Sequence, residues 1–229
     1  MEKISLLYEG KAKKVFTTED EDLLIVEYKD EEKGNGEISQ VRINRGSINN
    51  RMTNILCKLL ETKGIPTHYV QELSDTETVV KKAEIIPLGV VIRNVAAGSF
   101  SKKLGIEEGF ALLEPTQEFY YKNEELGNPM INDSYAIAIG AAKREEIRKI
   151  TELAFEVNEI LKEKFQEIGI RLVDFELEFG RYKGQIILAD QISPDTCRLW
   201  DLETDKRLGK DRNLGDVQTV YEEVLKRLI

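Results

Sequence analysis

From residue 173 to residue 179 apolar and acidic side chains alternate: Val173, Phe175, Leu177 and Phe179 are separated by Asp174, Glu176 and Glu178. A period of two marks a strand with one buried face. Gly180 and Gly184 bracket a turn, and residues 185–192 are apolar enough to form a partner strand that carries Asp190 near its end. Pairing Phe179 with Gln185 places Asp174 opposite Asp190, with Glu176 and Glu178 on the same face. Upstream, LLYEGKAKKVFT (6–17) reads as strand, tight turn and strand, residues 23–28 continue that sheet, and KDEEKGNGE (29–37) is a polar loop. From Ser47 a helix is predicted, because Met52, Ile55, Leu56, Leu59 and Leu60 recur at helical spacing before Gly64 and Pro66 stop it.

Residues 70–73 and 76–83 predict two short strands, and IIPLG (85–89) breaks the pattern with a proline, as a crossing between two lobes would. VVIRNVAAGSF (90–100) reads as a buried strand ending in Arg93 and Asn94, with Ser99 capping a short helix that runs to Gly105. Residues 107–140 suggest one strand and loops. A long helix is predicted over 143–168, with Ile147, Ile150, Ala154, Val157, Leu161 and Phe165 on one stripe and Gly169 ending it. Val217, Val220, Tyr221, Val224, Leu225 and Leu228 make a final amphipathic helix.

A chain of 229 residues supports one domain of two lobes or two small domains with an ample core. A net charge of −9 argues against a nucleic-acid partner, although local basic clusters could still bind small phosphates. Cys57 and Cys197 have neither a disulfide-framework pattern nor metal-site spacing, which suggests a reducing compartment. No signal-peptide core and no apolar segment long enough to span a bilayer is seen, so a cytoplasmic protein without membrane partners is expected. One histidine, His68, excludes chemistry that needs two, and serine or cysteine triads are disfavoured.

The acidic alternation is the strongest chemical signal. Like charges across a hairpin repel, so the face wants open water or a hard cation such as Mg²⁺ completed by phosphates; an exposed strand face is the plainer alternative. Gly10 among Lys11, Lys13 and Lys14 suits a loop that covers phosphates, but G-x-x-x-x-G-K-[ST] is absent, and a solvated turn would look the same. Arg93 near Ser99 suits a phosphate monoester, or else pairs with a local carboxylate. Arg198 and the loop LGKDRNL (208–214) add further basic groups.

Four segments occur in a particular order: YEGKAKKVF, VIRNVAAGSF, LVDFELEFG and LADQISPDTCRLWD. Together with Asn49, Asn50, SDTE (74–77) and NDSY (132–135), they resemble the SAICAR synthetase family, the phosphoribosylaminoimidazole-succinocarboxamide synthases, over nearly the whole chain. The resemblance implies an α+β, two-lobed fold similar to protein kinases and ATP-grasp enzymes. Its β-rich N-terminal lobe would cover 1–85 and its α/β C-terminal lobe 86–229. It also implies a homodimer that uses ATP and Mg²⁺ to join L-aspartate to the carboxylate of a carboxyaminoimidazole ribonucleotide through an acyl phosphate.

Carried over by position, Lys11, Lys13 and the backbone of Ala12 would lie over the ATP phosphates, Val15 on the adenine, and Lys81, Ile85 and Ile86 along the far wall. Glu178 and Asp190 would hold the metal, with Lys13 and Asp174 beside them at the reacting centre. Arg93, Ser99, Arg198 and, in the basic loop, Lys210 and Arg212 would bind the ribonucleotide, whose imidazole lies near Asp174. Ser193 and Asp195 would shape that pocket and the aspartate site. Three departures stand out: Glu176 replaces the family's lysine in DFKLEFG, Gln191 replaces the acid of ADE or GDE, and KDRNLG is shorter than its counterpart. A small-molecule kinase and a catalytically silent nucleotide sensor would share the same cleft.

Overall fold

Phe175, Leu177 and Phe179 are each no more than 1% exposed, as the period-two pattern requires. In the computed structural model, which describes residues 1–30, 33–34, 37–38, 44–211 and 217–229, they lie on β11 (Ile170–Tyr182). This strand organises a six-stranded antiparallel sheet. It pairs with β8 (Glu84–Val95) along one edge, and along the other with β12 (Gln185–Ala189) and β13 (Cys197–Asp201). Beyond β8 lie β9 (Ala111–Tyr121) and β10 (Met130–Ile131). A bulge between Leu172 and Asp174 shifts the alternation. Leu172 therefore joins Phe175 in the main core, while Val173 packs on the other face with Val95, Ala97 and Trp200.

The main core is closed by helices whose stripes the sequence predicts. On α4 (Arg144–Glu167) the residues Ile147, Ile150, Leu153, Ala154, Val157, Leu161 and Phe165 are buried. On α1 (Arg45–Thr62) Ile48, Met52, Leu56 and Leu60 enter the same core, as do Val220, Tyr221, Val224 and Leu228 of α5 (Val217–Leu228). Both cysteines are free and buried.

A second antiparallel sheet has the order β1 (Leu6–Glu9), β2 (Lys13–Thr17), β3 (Leu23–Tyr28), β7 (Glu77–Lys81) and β6 (Tyr69–Glu72). The pair β4 (Lys33–Gly34) and β5 (Glu37–Ile38) stands apart from it. The small sheet ends at Lys81 and the large one begins at Glu84. Residues 66–68 stitch them together, since His68 N–H donates to the Leu188 carbonyl and Leu188 N–H to the Pro66 carbonyl, both at 2.8 Å.

Four expectations change. The hairpin pairs Tyr182 with Gln185 and Phe179 with Leu188, so Asp174 does not face Asp190. The cause is a two-residue turn in which Lys183 (φ 49°) and Gly184 (φ 81°) are both left-handed, the conformation a tight hairpin demands. IIPLG is no crossing segment: β8 runs through Pro87, which sits where the pairing with β11 is irregular and loses no ladder donor. The stretch 107–140 holds the eleven-residue β9, a single 3₁₀ turn, β10 and α3 (Asp133–Ala138). Ser99 is the first residue of α2 (Ser99–Leu104), with Gly98 at the cap position. No described helix is long and apolar enough to cross a membrane.

Candidate active site

The cleft between the sheets has two compartments. The first, of 480 Å³, is floored by Val15, Leu24, Val26 and Val80 of the small sheet and walled by Ile85 of the large one. Lys11, Ala12, Lys13, Lys81 and His68 ring it. An apolar slot edged with lysines fits a purine carrying phosphates. Alternation on β8 separates two predicted wall residues: Ile85 faces the cavity, whereas the Ile86 side chain is fully buried in the core. The Lys81 ammonium donates to the Thr67 carbonyl at 2.8 Å.

His68 has an electrostatic consequence. Burial, reinforced by the charges of Lys13 and Lys81, pulls its imidazole down to about 3. The folded chain therefore holds it neutral where an unfolded chain, with a histidine pKa near 6.5, would take up a proton. Its contribution to stability is complete above about 6.5 and is lost as the pH falls toward 3. In His68→Asn, equilibrium unfolding followed between pH 7 and pH 4 is expected to lose a measurable part of its acid sensitivity. An unchanged slope would contradict this assignment.

The second compartment, of 590 Å³, is lined by Arg93, Ser99, Tyr120, Lys122, Glu176, Arg198 and Lys210. Tyr8, Lys122 and Glu178 line both cavities, so the two volumes meet at the Lys122–Glu178 ion pair. Asp190 directly follows β12 in a left-handed conformation (φ 62°), lines the first cavity and pairs with Lys13. Glu178 pairs with Ala189, the residue before Asp190, so both carboxylates line the first cavity, an oxygen-only set that would suit a hard divalent cation completed by phosphate oxygens. No group of three or more metal-capable side chains gathers among the described residues.

Asp174 does not itself line the second compartment but holds three residues that do. It is completely buried and accepts from Arg93 (2.9 Å) and Arg198 (2.6 Å) on Oδ2, with Lys210 2.9 Å from Oδ1. Register explains the convergence, because Asp174 lies opposite Arg93 on β8 and Arg198 on β13. Arg93 also reaches Glu118 at 2.7 Å and Ser99 Oγ at 3.4 Å, and the Tyr120 hydroxyl donates to Glu118 at 2.8 Å. This cationic cluster fits a phosphate monoester. Arg212 lies outside the described residues.

Ser193 and Asp195 line neither cavity. Ser193 is fully buried and its Oγ accepts from the Asp195 N–H at 3.2 Å. Asp195 accepts from Arg45 (2.5 and 2.9 Å), Asn49 (2.6 Å) and the Tyr221 hydroxyl, tying the ISPDT loop to α1 and α5. Burial opposes its charge, yet Arg45, Tyr221 and Asn49 together hold its carboxyl below the usual range. Asp195 is thus a node between two helices and this loop, a role that the sequence reading, which sets it at the pocket and the aspartate site, does not include. Sequence reading does not single out Glu118, Tyr120 and Lys122, of which the last two line the second cavity and the first pairs with Arg93. They are alternate positions of QEFYYK (117–122) on or just beyond β9, and their period of two is the signal that could have found them.

The family model for SAICAR synthetase matches residues 6–228. Over 232 aligned residues the chain is 59% identical to the phosphoribosylaminoimidazole-succinocarboxamide synthase of Lachnoclostridium phytofermentans, covering 100% of this chain and 99% of that one. The crystal structure of the synthase of that name from Ehrlichia chaffeensis superposes with a TM-score of 0.93 at 44% identity, over 98% of both chains. A SAICAR synthetase (Type-2) solved in complex with ADP superposes with a TM-score of 0.91 at 46% identity, over 96% of both. Matched end to end in sequence and in fold, this chain belongs to the SAICAR synthetase family.

Proposed function

We infer that this chain is an ATP-dependent ligase of de novo purine biosynthesis. It joins L-aspartate to the carboxylate of 4-carboxy-5-aminoimidazole ribonucleotide and releases the succinocarboxamide ribonucleotide, ADP and phosphate. The observation that carries this reading is the meeting of a purine-sized slot and a phosphate-monoester pocket at Lys122 and Glu178. A carboxylate is a poor electrophile because its leaving group would be oxide. Transfer of the terminal phosphoryl group of ATP to a carboxylate oxygen gives an acyl phosphate. The amine then attacks that carbon, a C–N bond forms, and phosphate leaves.

Little of this needs covalent participation by the protein, whose task is positioning and charge neutralisation. Lys11 and Lys13, with the Ala12 backbone, would cover the phosphates of ATP, and Val15, Lys81, Ile85 and the backbone of Ile86 would enclose its base. Arg93, Ser99, Arg198 and Lys210, with Arg212, would hold the ribonucleotide, oriented by Asp174. Glu178 and Asp190 would hold Mg²⁺, which when bound neutralises charge on the transferring phosphate. Lys13 would exchange its contact with Asp190 for a phosphate oxygen. We further propose that the chain works in the cytoplasm as a homodimer, with residues 1–85 and 86–229 as its two lobes.

The test is sustained ADP release by the purified chain. It is expected only when ATP, L-aspartate and the carboxylated ribonucleotide are present together. Continuous release without L-aspartate would contradict a ligase and favour phosphoryl transfer to another acceptor.

A further inference from the structure

We propose that Glu176 is the recognition point for the amino group of L-aspartate, an assignment that rests on the ligase reading above. Every other carboxylate lining the two cavities has a cation: Glu178 has Lys122, Asp190 has Lys13, and Glu124 has Lys11 at 3.9 Å. The Glu176 side chain lines the second cavity with no hydrogen bond or ion pair among the described residues. Lys210 and Lys122 act on it through space but neither is within ion-pair distance, and a half-buried carboxylate with no direct partner is complementary to an incoming cation. Of the three substrates only the amino acid brings one.

Position supports the same assignment. Side chains two apart on a strand are separated by about 7 Å. Glu176 therefore stands about 7 Å along β11 from Asp174, at the arginine cluster, and equally far from Glu178, at the nucleotide junction. The reacting carbonyl must lie between the anchored ribonucleotide phosphate and the terminal phosphate of ATP, and the amine must arrive beside it. The neighbouring strand leaves space for this side chain. Gly89 of β8 has no Cβ, and one built there would lie 2.7 Å from Glu176 Oε1. Any larger residue at 89 would push the carboxylate away from its place.

Glu176→Gln keeps the shape and removes the charge, and ADP binding measured by calorimetry verifies that the variant is folded. Its KM for L-aspartate is expected to rise about tenfold or more, the scale of one charge-assisted hydrogen bond. KM for ATP and for the ribonucleotide should change by less than about twofold, and inhibition by succinate, the same dicarboxylate without the amine, should be unaffected. Gly89→Ala should move the same constant in the same direction. An unchanged KM for L-aspartate in Glu176→Gln overturns the proposal. So does a rise in KM for ATP or in Mg²⁺ demand that keeps pace with it, which would place Glu176 with the metal, or a parallel loss of succinate binding. Failure of the unmodified chain to require L-aspartate would instead overturn the ligase reading, and that is seen before any variant is made.

Discussion

Asp190→Asn is expected to lose ATP turnover by on the order of 10²–10³-fold, the scale of removing one preorganised charge from a site that stabilises a transferring group. The fold should survive. Asp190, the residue after its strand, is in the left-handed region, which asparagine tolerates as well as aspartate. Its side chain is 26% exposed and that of its partner Lys13 is 19% exposed, so neither position becomes a sealed, uncompensated charge. What disappears is one of the two carboxylates proposed to hold the metal. Steady-state ADP release, measured beside a thermal melt, separates the two effects: kcat should fall while the melting temperature moves by only a few degrees. A kcat within about tenfold of the unmodified chain would remove Asp190 from the proposed metal site.

Asp174→Asn is expected to act in the opposite way, on stability first. This carboxylate has no exposure at all and is the shared partner of Arg93, Arg198 and Lys210. Neutralising it takes a carboxylate from three cations at once, of which Arg93, only 4% exposed, retains Glu118 and Arg198 retains Asp211 at 3.8 Å. Breaking a buried pair by removing one partner costs roughly 3–5 kcal/mol. For a chain of this size that corresponds to a fall of about 10 °C in melting temperature. Arg93 keeps Glu118, so pairing Asp174→Asn with Arg198→Gln should recover part of the loss, and urea unfolding of the single and double variants measures the coupling. A stability cost below about 1 kcal/mol would show that solvent, rather than Asp174, compensates the cluster.

These two acids illustrate what the sequence could and could not disclose. The stripes on α1, α4 and α5 were legible because a period near 3.6 over many residues has no other cheap explanation. The core strand β11 was legible for the corresponding reason. Its partners were not, because register is set by the turn, and Lys183 gives no sign that it will adopt a left-handed conformation. Three residues of slip separate the predicted acid-against-acid pairing from the actual one, in which Asp174 meets arginines on both neighbouring strands.

The strand β9 was hidden by its surface. Most of it is half-exposed and a proline interrupts it, so the period of two through Glu118 and Tyr120 is short and its two faces differ little in polarity. The roles proposed for Lys11, Arg93 and Arg198 come from motif order rather than from periodicity, which cannot distinguish a phosphate ligand from a solvated cation. Glu176 is the reverse case. Alternation identified it, the family pattern made it anomalous, and the unpartnered carboxylate over Gly89 gave it a use.

The central claim is that nucleotide and ribonucleotide meet at Glu178 so that a phosphoryl group passes to the carboxylate before the amine attacks. Isotope transfer tests it most directly. With the ribonucleotide carboxylate labelled with oxygen-18, turnover in the presence of ATP and L-aspartate should deliver one labelled oxygen to each phosphate released, read by mass spectrometry. Phosphate free of label, formed at the same rate as the amide, would contradict the account.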